Sequence, residues 1–149
     1  MDTEKPLTYL LGQTMHLVKL KIMSRFKEND VDLSLEHFII LNQIDLHDDL
    51  TQQDLANHFQ RDKSIILRLI NSLIELRYVV RLQDREDKRK KNLMLTKKGY
   101  DMLVFIKKIA HDVSTELLTG VSPEEILTFE NVINKIQLNT GFYDPNSKC

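Results

Sequence analysis

The chain has 149 residues, 42% of them hydrophobic and 29% charged, with four glycines, three prolines and a net charge of −1. That length suits one ordinary domain with a real core, and so few Gly and Pro residues exclude collagen-like, linker-like and disordered classes. No apolar run approaches the roughly 18 residues needed to span a bilayer, so no membrane contact is expected.

Met1-Asp2-Thr3-Glu4-Lys5-Pro6 has no basic stretch ahead of an apolar block, so no signal peptide is expected. The single cysteine, Cys149, cannot form an internal disulfide, which fits a cytoplasmic location.

The first helix is predicted from about Pro6 to Phe26. Leu7, Leu11, Met15, Val18, Ile22 and Phe26 recur there at steps of three or four. Leu10, Leu17 and Leu20 lie off that stripe and suggest a second buried side. Ser34 is the expected N-cap of helix 2, with Glu36 beside the positive helix end and Phe38, Leu41 and Ile44 facing inward. Thr51 and Asp54 form a capping-box variant opening helix 3, which buries Leu55, Ala56 and Phe59.

Asp62 caps helix 4, expected to run to about Arg77 with Ile66, Leu69, Ile70, Leu73 and Leu76 on its apolar face. Two short helices split at His58-Phe59-Gln60-Arg61 read as a helix-turn-helix. Tyr78 to Leu82 reads as a strand, Asp84 to Asn92 as a solvated loop, and Leu93 to Leu95 as a return strand. Thr96 caps helix 5, expected to reach Leu118 with Tyr100, Leu103, Val104, Val113 and Leu117 on its stripe. Gly120 stops it. Ser122-Pro123-Glu124-Glu125 opens helix 6, which carries Ile126, Phe129, Val132, Ile133 and Ile136 and ends near Gly141.

The fold class is therefore mainly α: a winged helix-turn-helix of six helices with a small two- to three-stranded β-wing. Its expected divisions are helical regions at 1–32 and 119–149, a winged module at 33–98 and a linking helix at 99–118.

Net charge hides an asymmetry. Residues 61–98 hold twelve basic and five acidic residues, a net +7, which leaves −8 on the rest of the chain. A basic module in an acidic frame suits a polyanion partner. Stepping 100° per residue along helix 4 places Ser64, Arg68 and Asn71 opposite its apolar face. Those side chains are of the types that meet base edges, while Lys63 adds charge at the helix N-terminus and Ile65 and Leu67 flank the row. At the hairpin tip Arg85, Lys88, Arg89, Lys90 and Lys91 fall in one turn with no apolar residue among them. Like charges repel, so packing gives no reason for this cluster, whereas the negative potential of a narrow minor groove does. Asp87, two residues from Arg89, is expected to hold the Arg89 guanidinium extended.

Asp84, Asp87, Arg89, Leu93, Leu95, Thr96, Lys98 and Gly99 resemble the wing signature of the MarR family of bacterial transcription regulators. Leu33-Ser34, Asp62-Lys63-Ser64 and Arg68 also resemble family positions, as does the order of six helices around a wing. Arg85 stands where proline is common, and Arg77 where a glycine usually closes helix 4, so the angle into the strand is expected to differ.

The resemblance implies a homodimer held by the N- and C-terminal helices, with Phe142 and Tyr143 as further anchors. It implies a sequence-specific regulator of double-stranded DNA, acting as a repressor on a pseudo-palindromic operator. It also implies a small aromatic or anionic effector, for which His16, Lys19, Phe38 and Tyr100 are the candidate lining residues.

No cofactor or metal site is expected. The five histidines form no H-E-x-x-H pair, and His47-Asp48-Asp49 reads as a solvated loop. Without a P-loop, G-x-S-x-G or G-x-G-x-x-G, no enzyme is expected. The alternative is a winged-helix interaction module whose basic surface meets an acidic protein.

Overall fold

The computed structural model describes residues 5–59 and 62–144. Gln60 and Arg61 of the expected turn, and Cys149, lie outside them. The elements are α1 (Leu7–Glu28), α2 (Leu35–Leu46), α3 (Gln52–Phe59), α4 (Lys63–Glu75), β1 (Val79–Gln83), β2 (Lys91–Leu95), α5 (Lys97–Leu117) and α6 (Pro123–Asn139). Residues 1–113 and 114–149 form two compact units, with the division inside α5.

Helices α2 to α6 each start where a side chain accepts free backbone N–H groups of the first turn, whereas α1 starts after Pro6 without such a cap. Ser34 Oγ accepts from His37 N at 3.2 Å, and the ring Nδ1 of His37 accepts from Ser34 N at 3.1 Å, a capping box closed by histidine. Thr51 and Asp54 exchange bonds of 3.1 and 2.9 Å. Asp62 accepts from Ser64 N at 2.8 Å, Thr96 from Gly99 N at 3.0 Å, and Ser122 and Glu125 form a reciprocal box.

In the first unit the core is built from α1 to α5 and the wing. Phe26, Ile40, Leu41, Leu55, Ile66, Ile70, Leu73, Val79, Leu93, Leu103 and Ile106 are almost fully buried in it. β1 and β2 pair antiparallel from Val79↔Leu95 to Gln83↔Lys91, and an isolated bridge joins Thr51 to Asn92. Along β1, Val79 and Arg81 are buried or half-buried while Val80 and Leu82 are exposed, the period of a one-sided ribbon.

Several expectations are corrected. β2 begins two residues earlier than expected, inside the charged segment, and β1 reaches one residue further, because Asn92 pairs with Leu82 and Lys91 with Gln83, so only residues 84–90 form the loop. Helix 4 ends at Glu75, and Leu76 is 36% exposed rather than inward. Arg77 takes the left-handed conformation itself (φ 62°), the conformation a closing glycine would adopt. Arg77 N donates to Ile74 O and Tyr78 N to Leu73 O, both at 2.9 Å, which completes a Schellman motif. Asp30 (φ 57°) closes α1 by the same device, with Val31 N donating to Phe26 O.

On α5, Tyr100, Val104 and Leu117 are exposed, while Ile106 and Ile109 join Leu103 and Val113 as its buried residues. On the α1 stripe Phe26 is buried, Leu11, Val18 and Ile22 are half-buried, and Leu7 and Met15 are exposed. Taken by itself, α6 buries none of its residues, and Phe129 is 61% exposed. Phe38 and Phe59 are half-buried against the core rather than enclosed by it. Among the described residues no helix is long and apolar enough to cross a membrane, and no group of three potential ligands could hold a metal.

Candidate nucleic-acid interface

The first turns of α4 form one half of the basic surface. Lys63, Ser64, Ile65, Leu67 and Arg68 are all exposed, because Ile66 and Ile70 take the inward positions. The side chain of Arg68 has no hydrogen-bond or ion-pair partner among the described residues. Asp62 holds the helix start through the Ser64 N–H, and that bond keeps its carboxyl below the usual range. This end of α4 therefore presents oriented N–H groups and a lysine, the arrangement that meets a phosphate.

Asn71 is placed differently from the expectation. It is half-buried, and its Oδ1 accepts from Arg81 Nη2 on β1 at 2.6 Å. The same nitrogen donates to Gln52 Oε1 on α3 at 3.3 Å. Helical stepping places Asn71 on the free side of α4 but carries no information about a strand that returns over it. Arg81 did not figure among the expected site residues. The available signal was its parity with Val79 on β1, which puts a cation on the inward face of a strand.

The wing tip forms the other half. Arg85, Lys88, Arg89, Lys90 and Lys91 are all exposed, and none takes part in an ion pair among the described residues. Two of the acidic side chains of the tip, Asp84 and Asp87, are engaged in the turn. Asp84 Oδ1 accepts from Glu86 N and Asp87 N at 2.8 and 3.0 Å, and Oδ2 accepts from Asn92 Nδ2 at 2.9 Å. The backbone bond from Asp87, then the Asn92 amide and the Glu86 N–H, hold the Asp84 carboxyl below the usual range. Asp87 Oδ1 accepts the backbone N–H of Arg89 at 3.0 Å. The expected grip on the Arg89 guanidinium is not formed, because the nearer backbone donor takes the carboxylate. Asp87 fixes the backbone from which Arg89 extends.

The wing is anchored to the body at both ends. Leu93 N donates to Leu50 O at 2.8 Å, and Asn92 Nδ2 also reaches Asp49 Oδ1 at 3.4 Å. At the base, Thr96 Oγ1 donates to Arg77 O at 2.6 Å and Thr96 N to Tyr78 O at 3.0 Å.

Tyr100 lines a cleft of about 930 Å³ beside the wing, together with Asp48, Leu82, Glu86 and Met94, and His16, Lys19 and Phe38 do not line it. Lys19 pairs with Glu36 at 3.2 Å, Phe38 stands edge-on to Phe26 at 6.5 Å between ring centres, and His16 is exposed on α1.

Residues 31–90 match the family model of the MarR family. The fold is shared with the MepR–DNA complex of S. aureus at 25% identity and a TM-score of 0.77, over 89% of this chain and 97% of that one. It is shared with wild-type apo MarR of E. coli at 21% identity and a TM-score of 0.76, over 89% and 98%. The transcriptional regulator SlyA gives 19% identity and a TM-score of 0.77, over 91% and 94%. The chain therefore resembles the MarR family over the helix-turn-helix and most of the wing, and shares the fold of these regulators over most of its length.

Proposed function

We propose that this chain is a sequence-specific regulator of double-stranded DNA, with α4 in a major groove and the wing in the adjoining minor groove. One observation carries the reading. Two exposed basic surfaces, the Lys63–Arg68 turn of α4 and the Arg85–Lys91 tip, stand on adjacent elements, and none of their cations forms an ion pair among the described residues. The MepR relative, solved as a DNA complex, supports it. Lys63, Arg85, Lys88, Lys90 and Lys91 serve as phosphate contacts, which position the protein. Ser64, Ile65, Leu67 and Arg68 meet base edges, and Arg89 enters the minor groove.

The active form is a homodimer. Leu10, Met15, Leu17 and Leu20 on α1, and Leu127, Phe129 and Val132 on α6, are exposed apolar residues that a second copy would bury. Phe142 and Tyr143 are further exposed apolar residues of the second unit that a second copy would bury. Two-fold symmetry then sets a pseudo-palindromic operator with half-sites about one helical turn apart. Repression follows if that site overlaps a promoter, in the cytoplasm where the DNA lies. A small aromatic or anionic effector releases the DNA by favouring one spacing of the two lobes. The Lys19–Glu36 pair is where an anionic effector would compete.

The test is fluorescence anisotropy against duplexes selected from a random pool. Binding should weaken steeply with salt, because counterions leave the phosphates. Arg89→Ala should weaken binding to every duplex, and Arg68→Ala should flatten the preference among them. Failure of the wild-type chain to bind any duplex at low salt overturns the reading and favours an acidic protein partner for the same surface.

A further inference from the structure

From the Arg81 bracket we infer that Arg81 is a positioning residue, which sets the wing tip relative to α4 and thereby makes Arg89 effective on DNA. The inference rests on the DNA-binding reading proposed above. Arg81 sits on the inward face of β1, paired with Leu93 on β2, where the pleat calls for an apolar side chain. Instead a guanidinium is half-buried there, and one nitrogen joins three elements: its own strand, Asn71 of α4 at 2.6 Å and Gln52 of α3 at 3.3 Å.

Both acceptors are neutral amides. No carboxylate pairs with Arg81 among the described residues, so the site fixes the guanidinium in place without cancelling its charge. A buried cation without hydrogen bonds is costly, so the two acceptors and the strand that carries it are held together. The bracket also withdraws Asn71 from the groove side of α4, which makes it a part of the wing's support rather than a reader of bases.

Geometry explains why a pin is needed here. β2 is tied to the body by the Leu93–Leu50 bond and the Asn92–Asp49 contact. Beyond the buried Val79, Arg81 is the residue of β1 whose side chain bonds to another helix of the unit. Strand twist amplifies a small rotation at Arg81 into a larger displacement at the tip several residues on. Two surfaces that grip neighbouring grooves tolerate little such displacement.

A double-mutant cycle on the full-length protein tests this. The probe is a labelled duplex selected by the wild-type chain from a random pool. Arg81→Met should lower affinity about tenfold and also abolish most of the penalty of Arg89→Ala, leaving less than a twofold effect, while Arg68→Ala keeps its full penalty. Asn71→Leu retains the Arg81 charge and removes its shorter bond, so it should reproduce the loss of coupling to Arg89 if Arg81→Met fails to fold. Additive effects of Arg81→Met and Arg89→Ala overturn the inference alone and make Arg81 one more phosphate contact. Equal loss of coupling to Arg68 and Arg89 also overturns it, since that outcome reports general loosening. Absence of any duplex binding by the wild-type chain overturns the DNA reading and this inference with it.

Discussion

Of the four glycines, Gly99 is the one where the fold leaves no room for a side chain. It lies in the first turn of α5, and an added Cβ would stand 2.8 Å from the carbonyl carbon of Tyr78, 3.0 Å from its Cα and closer still to its carbonyl oxygen. All three atoms are backbone, so no rotamer relieves the clash. The start of α5 must withdraw from the α4–β1 turn, and that movement stretches Thr96 N→Tyr78 O, Thr96 Oγ1→Arg77 O and Lys98 Nζ→Leu76 O, now 3.0, 2.6 and 2.9 Å. Overpacking of this kind costs about 1–3 kcal/mol, and each weakened bond adds about 1 kcal/mol. Alanine recovers at most about 1 kcal/mol of helix propensity. Gly99→Ala should therefore destabilise the chain by about 3–5 kcal/mol, seen as a lower urea midpoint with an unchanged m-value. The melting temperature should fall by about 5–15 °C for a chain of this size. A loss smaller than about 0.5 kcal/mol, the range of ordinary surface substitutions, would refute the argument from close approach.

Two further changes have opposite signs. Arg77→Gly should stabilise by about 0.5–1 kcal/mol in urea unfolding, since a side chain at φ 62° is strained and glycine is not; destabilisation would mean that the Arg77 side chain outweighs its backbone strain. His37 has its pKa lowered, first by burial, with Glu36 and Asp32 acting in the other direction. Its Nδ1 accepts from Ser34 N only while unprotonated, and its Nε2 is buried without a partner among the described residues. The unfolded chain binds this proton first, so the contribution of His37 is complete above the ordinary histidine pKa of about 6.5 and declines as pH falls toward the lower folded value. His37→Gln keeps a capping-box residue and removes the proton, so it should flatten stability between pH 7 and 5 relative to wild type. Parallel profiles for the two proteins would contradict this account.

The caps were legible in the sequence because a cap is decided within three residues. Ser34, Thr51 with Asp54, Asp62, Thr96 and Ser122 with Glu125 each make the bond their spacing foretells. The basic tip was legible because a cluster of like charges has no place in a core. What covers each apolar face was not. The α1 stripe and the residues of α6 show that a face is fit for burial, and leave open whether the same chain or another covers it. On α5 apolar residues occur on more than one side, so the choice of Tyr100 and Val104 over Ile106 and Ile109 had no internal arbiter. Arg77 shows tertiary context overriding a local preference: the Schellman bonds and the buried pair Leu73 and Tyr78 hold it left-handed without glycine. Asn71 was misplaced because its partner lies ten residues on, in another element.

The acidic residues inside the wing decide whether the tip works by charge or by shape. Residues 84–91 carry five basic and three acidic side chains, a net +2. If charge alone governed binding, Asp84→Ala, which raises that to +3, would tighten DNA binding, by up to about fivefold for one exposed charge. The geometry gives the opposite expectation. Asp84 accepts three bonds, from Glu86 N, Asp87 N and Asn92 Nδ2, that close the turn and fix β2 beside it. Without them the basic side chains leave a single arrangement, and ordering them again opposes binding. Asp84→Ala should lower affinity about tenfold near 0.15 M salt, where the added charge is largely screened beyond a Debye length of about 8 Å. As salt is lowered the gap should narrow, because the charge gain grows while the ordering penalty does not. Tighter binding by Asp84→Ala at both salt concentrations would show that the tip acts as a diffuse positive patch, and that the acceptors built into it contribute nothing to recognition.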